Sequence, residues 1–167
     1  MTIHPELDVA AIVRVLAKHR VRYVVIGGVA ATVHGAPIPD TLDMDITPER
    51  AKANEERLAA ALADMEAKLR APGLDEGFEI PLDGRTFKNM VAMTFVTKYG
   101  PFDVSFRPDG TEGYEDLARD SSTVKELGVE IPIASLRDII RSKEAAKRSK
   151  DAEHLPILYR FLAEQGE

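Results

Sequence analysis

Cysteine is absent from the 167-residue sequence, which excludes disulfide bonds and thiolate metal sites. A chain without cysteine suits a reducing compartment, and we expect a cytoplasmic protein. No apolar run approaches the roughly 18 residues that a membrane-spanning helix requires, so we expect no membrane partner. The segment Met1–Pro5 lacks the basic stretch and apolar stretch of a secretory signal, and none is predicted.

Aromatic residues are scarce, at 6% of the chain, and they are not interleaved with basic residues as in a base-stacking surface. The formal net charge of −6 argues against a general nucleic-acid-coating protein but leaves room for a local basic face. The hydrophobic content of 44% is typical of a folded protein. Because no repeat or linker divides the chain, we expect a single domain over 1–167.

The first half of the chain alternates between helical and extended patterns. Thr47 and Pro48 are expected to open the third helix, with Thr47 as its N-cap and Pro48 in its first turn. Periodicity and β-branched runs predict a helix over 7–18, a strand over 21–26, a helix over 29–34, a strand over 42–47 and a long helix over 49–69.

The second half begins with a stretch rich in proline, glycine and acids, which predicts a loop over 71–83. Ser135 is the expected N-cap of the first of two C-terminal helices. The patterns predict strands over 87–97 and 102–106, a hairpin over 124–133 around Gly128, and helices over 135–147 and 152–162. The fold class is therefore expected to be α+β, with an α/β-like start.

Two aspartates alternate with apolar residues in the sequence Leu42-Asp43-Met44-Asp45-Ile46. Side chains on a strand alternate faces, so the apolar set is expected to be buried and Asp43 and Asp45 to share the other face, roughly 7 Å apart. Carboxylates so placed repel each other unless a cation lies between them, and hard divalent ions prefer carboxylate oxygens. The alternative is that both carboxylates form the solvent face of an edge strand.

The same alternation recurs in Phe102-Asp103-Val104-Ser105-Phe106. The aromatic residues and Val104 are expected to face the core, which turns Asp103 and Ser105 to the other face. If the two strands are neighbours in one sheet, Asp103 joins Asp43 and Asp45. Three carboxylates on one sheet face would form a site for a metal ion and phosphates.

Gly27 and Gly28 lie between a predicted strand and a predicted helix. Backbone N–H groups at such a turn, together with the helix N-terminus, favour phosphate binding, and glycine permits close approach. A plain tight turn is the alternative. His34 is expected to be a structural histidine, or one that supports the site residues, rather than a ligand or base.

Basic residues concentrate near the C-terminus. Leu136, Ile139, Ile140 and Lys143 fall at i, i+3, i+4 and i+7, and Lys147 is expected to continue this stripe. A lysine there either snorkels to the surface or points into a charged site. Between residues 137 and 150 the chain holds six basic residues against two acidic ones. Such a segment could bind a triphosphate or an RNA backbone, or it could be a solvated helix face.

Taken together, these motifs resemble the minimal nucleotidyltransferase (polymerase-beta-like) superfamily, and in particular its AbiEii-type branch, whose members are often toxins of type IV toxin–antitoxin pairs. The resemblance covers roughly residues 20–160. It departs from the usual pattern at Ile38-Pro39-Asp40-Thr41, where many relatives carry an arginine, and at Gly27-Gly28, where many carry Gly-Ser. The segments that carry it are VVIGGVAATVHGAP, DMDITP, YGPFDVSFRPDGTEGYEDL and IPIASLRDIIRSKEAAKRSKDAEHLPIL, the last of which contains K-x-x-x-x-R-x-K-D.

The resemblance implies a mixed sheet flanked by helices, with C-terminal helices at about 135–165 closing a cleft. It implies that Asp43, Asp45 and Asp103 bind Mg²⁺ or Mn²⁺ and that Asp103 also helps to deprotonate an acceptor hydroxyl. Further implied roles are donor-phosphate binding by Gly27 and Gly28, neutralisation of the triphosphate by Lys143, and support of the cleft by Lys150 and Asp151.

The implied reaction is transfer of NMP from an NTP to an acceptor hydroxyl, and the toxin analogy suggests the tRNA 3′ end or another RNA as acceptor. A cognate antitoxin would then be a partner. Two alternatives stay open at this point. The acceptor could be a small molecule or a protein hydroxyl, or the chain could be a non-catalytic nucleotide-binding or toxin–antitoxin interaction module.

Overall fold

The structure is a computed structural model that describes residues 6–39, 41–126 and 128–166. The predicted absence of a secretory signal at Met1–Pro5 and the departure at Asp40 therefore lie outside the described residues. Within the described ranges, no helix is both long enough and apolar enough to cross a membrane.

One mixed sheet organises the described chain. Its strands are β1 (Tyr23–Ile26), β2 (Met44–Pro48), β3 (Lys68–Ala71), β4 (Leu74–Phe78), β5 (Ala92–Thr97), β6 (Gly100–Ser105), β7 (Ser122–Glu126) and β8 (Val129–Ile133), in the order β4-β3-β5-β6-β2-β1-β8-β7. β2 pairs parallel to β6 and antiparallel to β1, while β1 pairs parallel to β8. Strands distant in sequence thus meet at the centre of the sheet.

Helices accompany this sheet. They are α1 (Val9–Lys18), α2 (Gly27–His34), α3 (Lys52–Asp64), α4 (Tyr114–Arg119), α5 (Leu136–Ala146) and α6 (Ser149–Glu164). The predicted α+β class, with a mixed sheet and a C-terminal helical segment, is confirmed. The hairpin around Gly128 and the N-cap at Ser135 are also confirmed, since β7 pairs antiparallel with β8 and the Ser135 side chain accepts a hydrogen bond from the Asp138 backbone N–H.

The hydrophobic core explains why the central strands present their other face to a site. Met44 and Ile46 of β2 and Phe102 of β6 are buried at 0% exposure, together with Ile12 of α1 and Leu58 of α3. Burying each such side chain contributes about 1.5–3 kcal/mol, which fixes the register of the strands. The alternate residues of β2 and β6 must therefore point away from this core.

The predicted helix start at Thr47 and Pro48 is wrong, because both residues belong to β2. Pro48 pairs with Tyr23, and the Glu49 backbone N–H donates to the Arg22 carbonyl, which keeps the chain extended. The helix α3 begins only at Lys52 and ends at Asp64 rather than Leu69.

The predicted loop over 71–83 is also wrong in its first half, where β3 and β4 form a hairpin. The left-handed Gly73, with φ of 81°, lies at its turn. This hairpin is at the sheet edge and largely exposed, so it lacks the apolar alternation that reveals a half-buried strand. Strand β5 begins at Ala92 rather than Phe87, and α4 was not predicted.

Candidate active site

The two acidic strand segments lie side by side in the sheet. Asp45 of β2 is in register with Asp103 of the parallel strand β6, and Asp43 comes immediately before β2. Each of the three residues offers a carboxylate oxygen, and these oxygens lie within 4.8 Å of one another. The predicted meeting of the three carboxylates is confirmed. Leu42, by contrast, was expected in the core and is 60% exposed, because β2 begins only at Met44.

The donor set fits a hard divalent cation. All three side chains offer oxygen ligands, which Mg²⁺ and Mn²⁺ prefer. The Oδ1 atom of Asp103 is buried and, among the described residues, has no hydrogen-bond partner. A buried carboxylate oxygen without a donor is costly, and a cation among the three carboxylates would remove that cost.

The electrostatics of the cluster support the same conclusion. Burial raises the pKa of Asp45 well above its ordinary value, and the charges of Asp43 and Asp103 raise it further. Burial also raises the pKa of Asp103, to about 6, with a contribution from the charge of Asp43 and an opposing one from hydrogen bonding to Asp45. Without a cation, the folded chain therefore resists full ionisation of this cluster.

A divalent cation bound at this cluster would stabilise the protein in a pH-dependent way. The folded pKa of Asp103 lies above the value in the unfolded chain, so its contribution to stability is complete below about pH 4 and is lost as pH rises through about 6. A cation binds the ionised carboxylates. We therefore expect Mg²⁺, at about 10 mM, to raise the melting temperature relative to EDTA only slightly at low pH and increasingly towards neutrality.

Differential scanning fluorimetry with and without Mg²⁺ measures this gain, and the subtraction cancels titrations elsewhere in the chain. Asp103→Asn should flatten the pH dependence of the gain. A gain of equal size across the whole pH range would contradict the assignment of these carboxylates to a cation.

The backbone of Gly27 lies against the carboxylate of Asp45. Gly27 is the first residue of α2 and has a left-handed φ of 68°, and a Cβ added there would overlap Oδ2 of Asp45. The N-cap of α2, Ile26, makes no side-chain hydrogen bond to the helix. The first N–H groups of this helix therefore lack a side-chain cap and lie beside the acidic cluster. Gly28 packs closely on Thr41, whose Oγ1 is 3.0 Å from an added Cβ.

We predict that Gly27→Ala weakens divalent-cation binding at least about tenfold, because the new Cβ must displace the Asp45 carboxylate. The left-handed backbone should cost a further ~1–2 kcal/mol of stability. Gly73→Ala is the matched control, since Gly73 has φ of 81° but no atom within 4 Å of an added Cβ. Isothermal calorimetry should show weakened binding in Gly27→Ala alone, and similar losses in both variants would contradict the contact.

Lys143 lies in the interior and points into a charged site, which decides between the two alternatives for this residue. It is 5% exposed, and its Nζ is 3.3 Å from Oδ1 of Asp151 and 3.5 Å from Nδ1 of His154. Burial lowers the pKa of Lys143, while the charge of Asp151 opposes this shift. The expectation that Lys147 continues the buried stripe is wrong. Lys147 is exposed and ends α5 in a left-handed conformation, with φ of 53°.

Asp151 connects α5 to the start of α6. It is 0% exposed and accepts hydrogen bonds from the backbone N and the Nε of Arg148, each at 3.1 Å. Burial alone would raise the pKa of Asp151, but the hydrogen bonds from Arg148 and the charge of Lys143 outweigh it and lower the pKa. Lys150 is exposed, and its positive charge opposes the rise in the pKa of Asp45.

A cleft of about 320 Å³ joins these parts. Gly27, Asp45, Asp103 and Lys143 all line it. His34 does not line the cleft, but its Nε2 is 2.8 Å from the carbonyl oxygen of Ala134, which does. Its structural role stays a prediction.

Two cleft residues, Arg148 and Thr94, were not singled out from the sequence. Arg148 stands out only as the arginine in K-x-x-x-x-R-x-K-D, and Thr94 only as the residue that pairs with Asp103 across β5 and β6. The signal for Thr94 is its register with Asp103, which can be read only once the pairing of β5 with β6 is known.

Neither a protein-family model nor a curated protein sequence matches the chain. Solved structures do match it in fold. The lincosamide antibiotic adenylyltransferase LnuA, in a lincomycin-bound structure, matches with a TM-score of 0.62 and 16% identity over 95% of this chain and 97% of its own. The antibiotic-resistance factor ANT(2'')-Ia matches with a TM-score of 0.55 and 14% identity, over 90% of this chain and 80% of its own.

A candidate nucleotidyltransferase of Thermotoga maritima matches with a TM-score of 0.51 and 17% identity, over 92% of this chain and 89% of its own. These similarities extend over nearly the whole described chain, so they concern the sheet, the acidic strands and the C-terminal helices together. The chain therefore has the nucleotidyltransferase fold.

Proposed function

We propose that this protein is a metal-dependent nucleotidyltransferase that moves NMP from an NTP to an acceptor hydroxyl. The observation that carries the proposal is the meeting of Asp43, Asp45 and Asp103 beside an uncapped helix N-terminus. The fold shared with nucleotidyltransferases supports it. We also propose that the chain acts as one domain over 1–167, in which helices α5 and α6 close the cleft.

In the proposed step, the acceptor oxygen forms a bond to the α-phosphorus of the NTP. The bond between the α-phosphorus and the bridging oxygen to the β-phosphate breaks, and pyrophosphate leaves with that electron pair. The Asp103 carboxylate would take the proton of the acceptor hydroxyl, the role that the resemblance implies for it. Asp43, Asp45 and Asp103 would hold a divalent cation, which would supply positive charge at the reacting phosphate.

The donor's phosphates would lie at the basic side of the cleft. The N–H groups of Gly27 and Gly28 at the start of α2, which has no side-chain cap, can donate to phosphate oxygens. Lys143, held by Asp151, would neutralise charge that builds up on the leaving pyrophosphate. Lys150 adds a second positive charge close enough to affect Asp45, and Asp151 fixes the positions of the cations around it.

Two acceptor classes follow from different observations. LnuA is a lincosamide adenylyltransferase with lincomycin bound, and ANT(2'')-Ia is an antibiotic-resistance factor, which supports a small-molecule hydroxyl as acceptor. The exposed cations Lys147, Arg148 and Lys150 support an RNA acceptor, such as the tRNA 3′ end for a type IV toxin with a cognate antitoxin. The antitoxin partner and the cytoplasmic location stay predictions.

The proposal is tested by incubating the protein with an α-labelled NTP and Mg²⁺ or Mn²⁺, one nucleotide at a time. Each reaction contains either tRNA or a small-molecule library as the source of acceptor. We expect label on an acceptor, dependent on the cation and lost in Asp43→Ala/Asp45→Ala. Equal transfer by wild type and by this double variant would refute the proposed site. Calorimetry with an NTP and Mg²⁺ separates a non-catalytic binding module, which would bind without turnover.

A further inference from the structure

One histidine of α6 contacts a charged residue of the cleft without lining the cleft itself. His154 is half-buried, and its Nδ1 atom lies 3.5 Å from Nζ of Lys143. It follows Asp151 by three residues, a spacing that places both side chains on the same face of α6. Lys143 lines the cleft, whereas Asp151 and His154 do not. The ammonium group is therefore held from outside the cleft by two residues of the next helix.

The hydrogen-bonding capacity of Lys143 exceeds these two contacts. An ammonium group has three N–H donors and no acceptor. Nζ is 3.3 Å from Oδ1 of Asp151 and 3.5 Å from Nδ1 of His154, and these two atoms are its partners in the part of the chain that the structure describes. One N–H is left for a ligand in the cleft. Because two contacts restrict rotation about the Cε–Nζ bond, they fix the direction of the remaining donor.

The contact also determines the tautomer of His154. A protonated lysine can only donate, so Nδ1 must carry a lone pair, and in the neutral ring the proton then lies on Nε2. A protonated imidazole carries N–H on both nitrogens and offers Lys143 no acceptor. It would also place a second positive charge beside the ammonium group. Lys143 therefore keeps both partners only while His154 is neutral.

The charges around His154 favour the neutral ring. Burial lowers the pKa of His154, and the positive charges of Lys143 and Lys150 lower it further. The negative charges of Asp151 and Glu153 oppose this shift of the pKa without cancelling it. Lys143 belongs to α5 and the other three residues to α6, so both helices that meet at His154 contribute. The ring is therefore mainly neutral at neutral pH and becomes charged in acid.

We propose that neutral His154 is a positioning residue that, together with Asp151, directs the Lys143 ammonium group at a phosphate group in the cleft. The proposal rests on the proposed function, because the phosphate group is that of the NTP donor. Protonation of His154 removes one of the two contacts that hold Lys143 and weakens nucleotide binding. Donor binding is thus sensitive to acid through a residue that is separate from the three carboxylates.

The tautomer is measured in the unliganded protein, without any assay of activity. Long-range proton–nitrogen correlation spectra of isotopically labelled protein distinguish the two neutral tautomers and the cation, and His154→Asn identifies the signals of His154 by their loss. We expect a proton on Nε2 and none on Nδ1 at neutral pH, with the cation appearing in acid. A proton on Nδ1 at neutral pH would overturn the proposal, because Nδ1 could not then accept from Lys143.

Two substitutions separate the acceptor atom from the titratable ring. His154→Asn places an amide oxygen close to the position of Nδ1 and does not titrate, whereas His154→Leu offers no acceptor. In calorimetry with an NTP and Mg²⁺ at neutral pH, His154→Leu should weaken nucleotide binding at least about fivefold. His154→Asn should recover most of that loss.

The pH profile is a readout that a merely structural role would not change. The ratio of NTP affinity in wild type to that in His154→Asn should fall at least about threefold from neutral pH to about pH 5, because only wild type becomes charged at this position. The ratio cancels the titration of the acidic cluster, which both proteins share. His19→Asn is the matched control, since His19 pairs with Asp64 at 2.9 Å and does not line the cleft, and its ratio should not change with pH.

A constant ratio for His154→Asn across this pH range would refute the positioning role. Unchanged NTP affinity in His154→Leu, or equal losses in His154→Leu and His154→Asn, would refute it as well, because the acceptor atom would then not matter. Absence of metal-dependent NTP binding in the wild type would instead overturn the proposed function. The correlation spectra would still show whether Nδ1 of His154 accepts from Lys143, so the two failures are distinguishable.

Discussion

Asp45→Asn is expected to reduce nucleotidyl transfer by at least about a thousandfold, which corresponds to about 4 kcal/mol of transition-state stabilisation. Asp45 lies between Gly27, whose added Cβ would overlap Oδ2 of Asp45, and Asp103, with which it is in register; its oxygen is one of the three that can hold a cation. The substitution preserves shape but removes the charge that a divalent ion requires. Steady-state transfer assays across a Mg²⁺ titration measure the loss.

The same substitution should stabilise the cation-free protein. Burial and the charges of Asp43 and Asp103 raise the pKa of Asp45, so the ionised carboxylate is unfavourable in the folded state. Removing it should increase the free energy of unfolding in EDTA by ~1–2 kcal/mol and abolish the additional stability that Mg²⁺ gives. Asp75→Asn on the exposed strand β4 is the control and should change neither quantity. A destabilised Asp45→Asn protein in EDTA would contradict the repulsion between the carboxylates.

Asp151→Ala is expected to destabilise the protein by about 3–5 kcal/mol, because it leaves Lys143 buried without its counter-charge. Both partners are buried, and Asp151 also accepts two hydrogen bonds from Arg148 at the start of α6. Chemical denaturation measures the loss. The exposed ion pair of Lys18 with Asp64 provides the comparison, and Asp64→Ala should cost at most about 1 kcal/mol.

A double-mutant cycle separates the ion pair from the capping role of Asp151. Lys143→Met/Asp151→Ala should be more stable than Asp151→Ala alone, since methionine fills a similar space without a charge. The gain measures the cost of the uncompensated lysine. If the loss of unfolding free energy in the double variant equalled or exceeded the sum of the losses in the two single variants, the buried pair would not be the source of the loss.

The sequence predicted the acidic cluster because strand periodicity is a strong local signal. Asp43, Asp45 and Asp103 alternate with residues that must be buried, so their shared face follows once β2 and β6 are neighbours. The pairing of β2 with β6 had to be assumed, because the sequence does not show which strands are neighbours. It depends on which strands meet in the finished sheet, and this is a non-local property.

Local signals failed where tertiary contacts decided the outcome. Pro48 has the propensity to begin a helix, but pairing with Tyr23 keeps it in β2. Lys147 matches the helical period of Lys143, but α5 ends before it, and the left-handed backbone at Lys147 leads into α6. The partner of Lys143 could not be read from periodicity, because Asp151 belongs to the next helix. The hairpin β3–β4 was missed because its exposed position removes the hydrophobic pattern.

The parallel pairing of β2 with β6 also determines when the acidic cluster can form during synthesis. Asp45 emerges from the ribosome long before Asp103, and Lys143 follows later still. Contacts between such distant segments form late, since a long loop must close first. A nascent chain that has reached only β5 holds two of the three carboxylates and no α5, so neither the acidic cluster nor the cleft can yet be complete. The site is therefore assembled only after α5 has been synthesised.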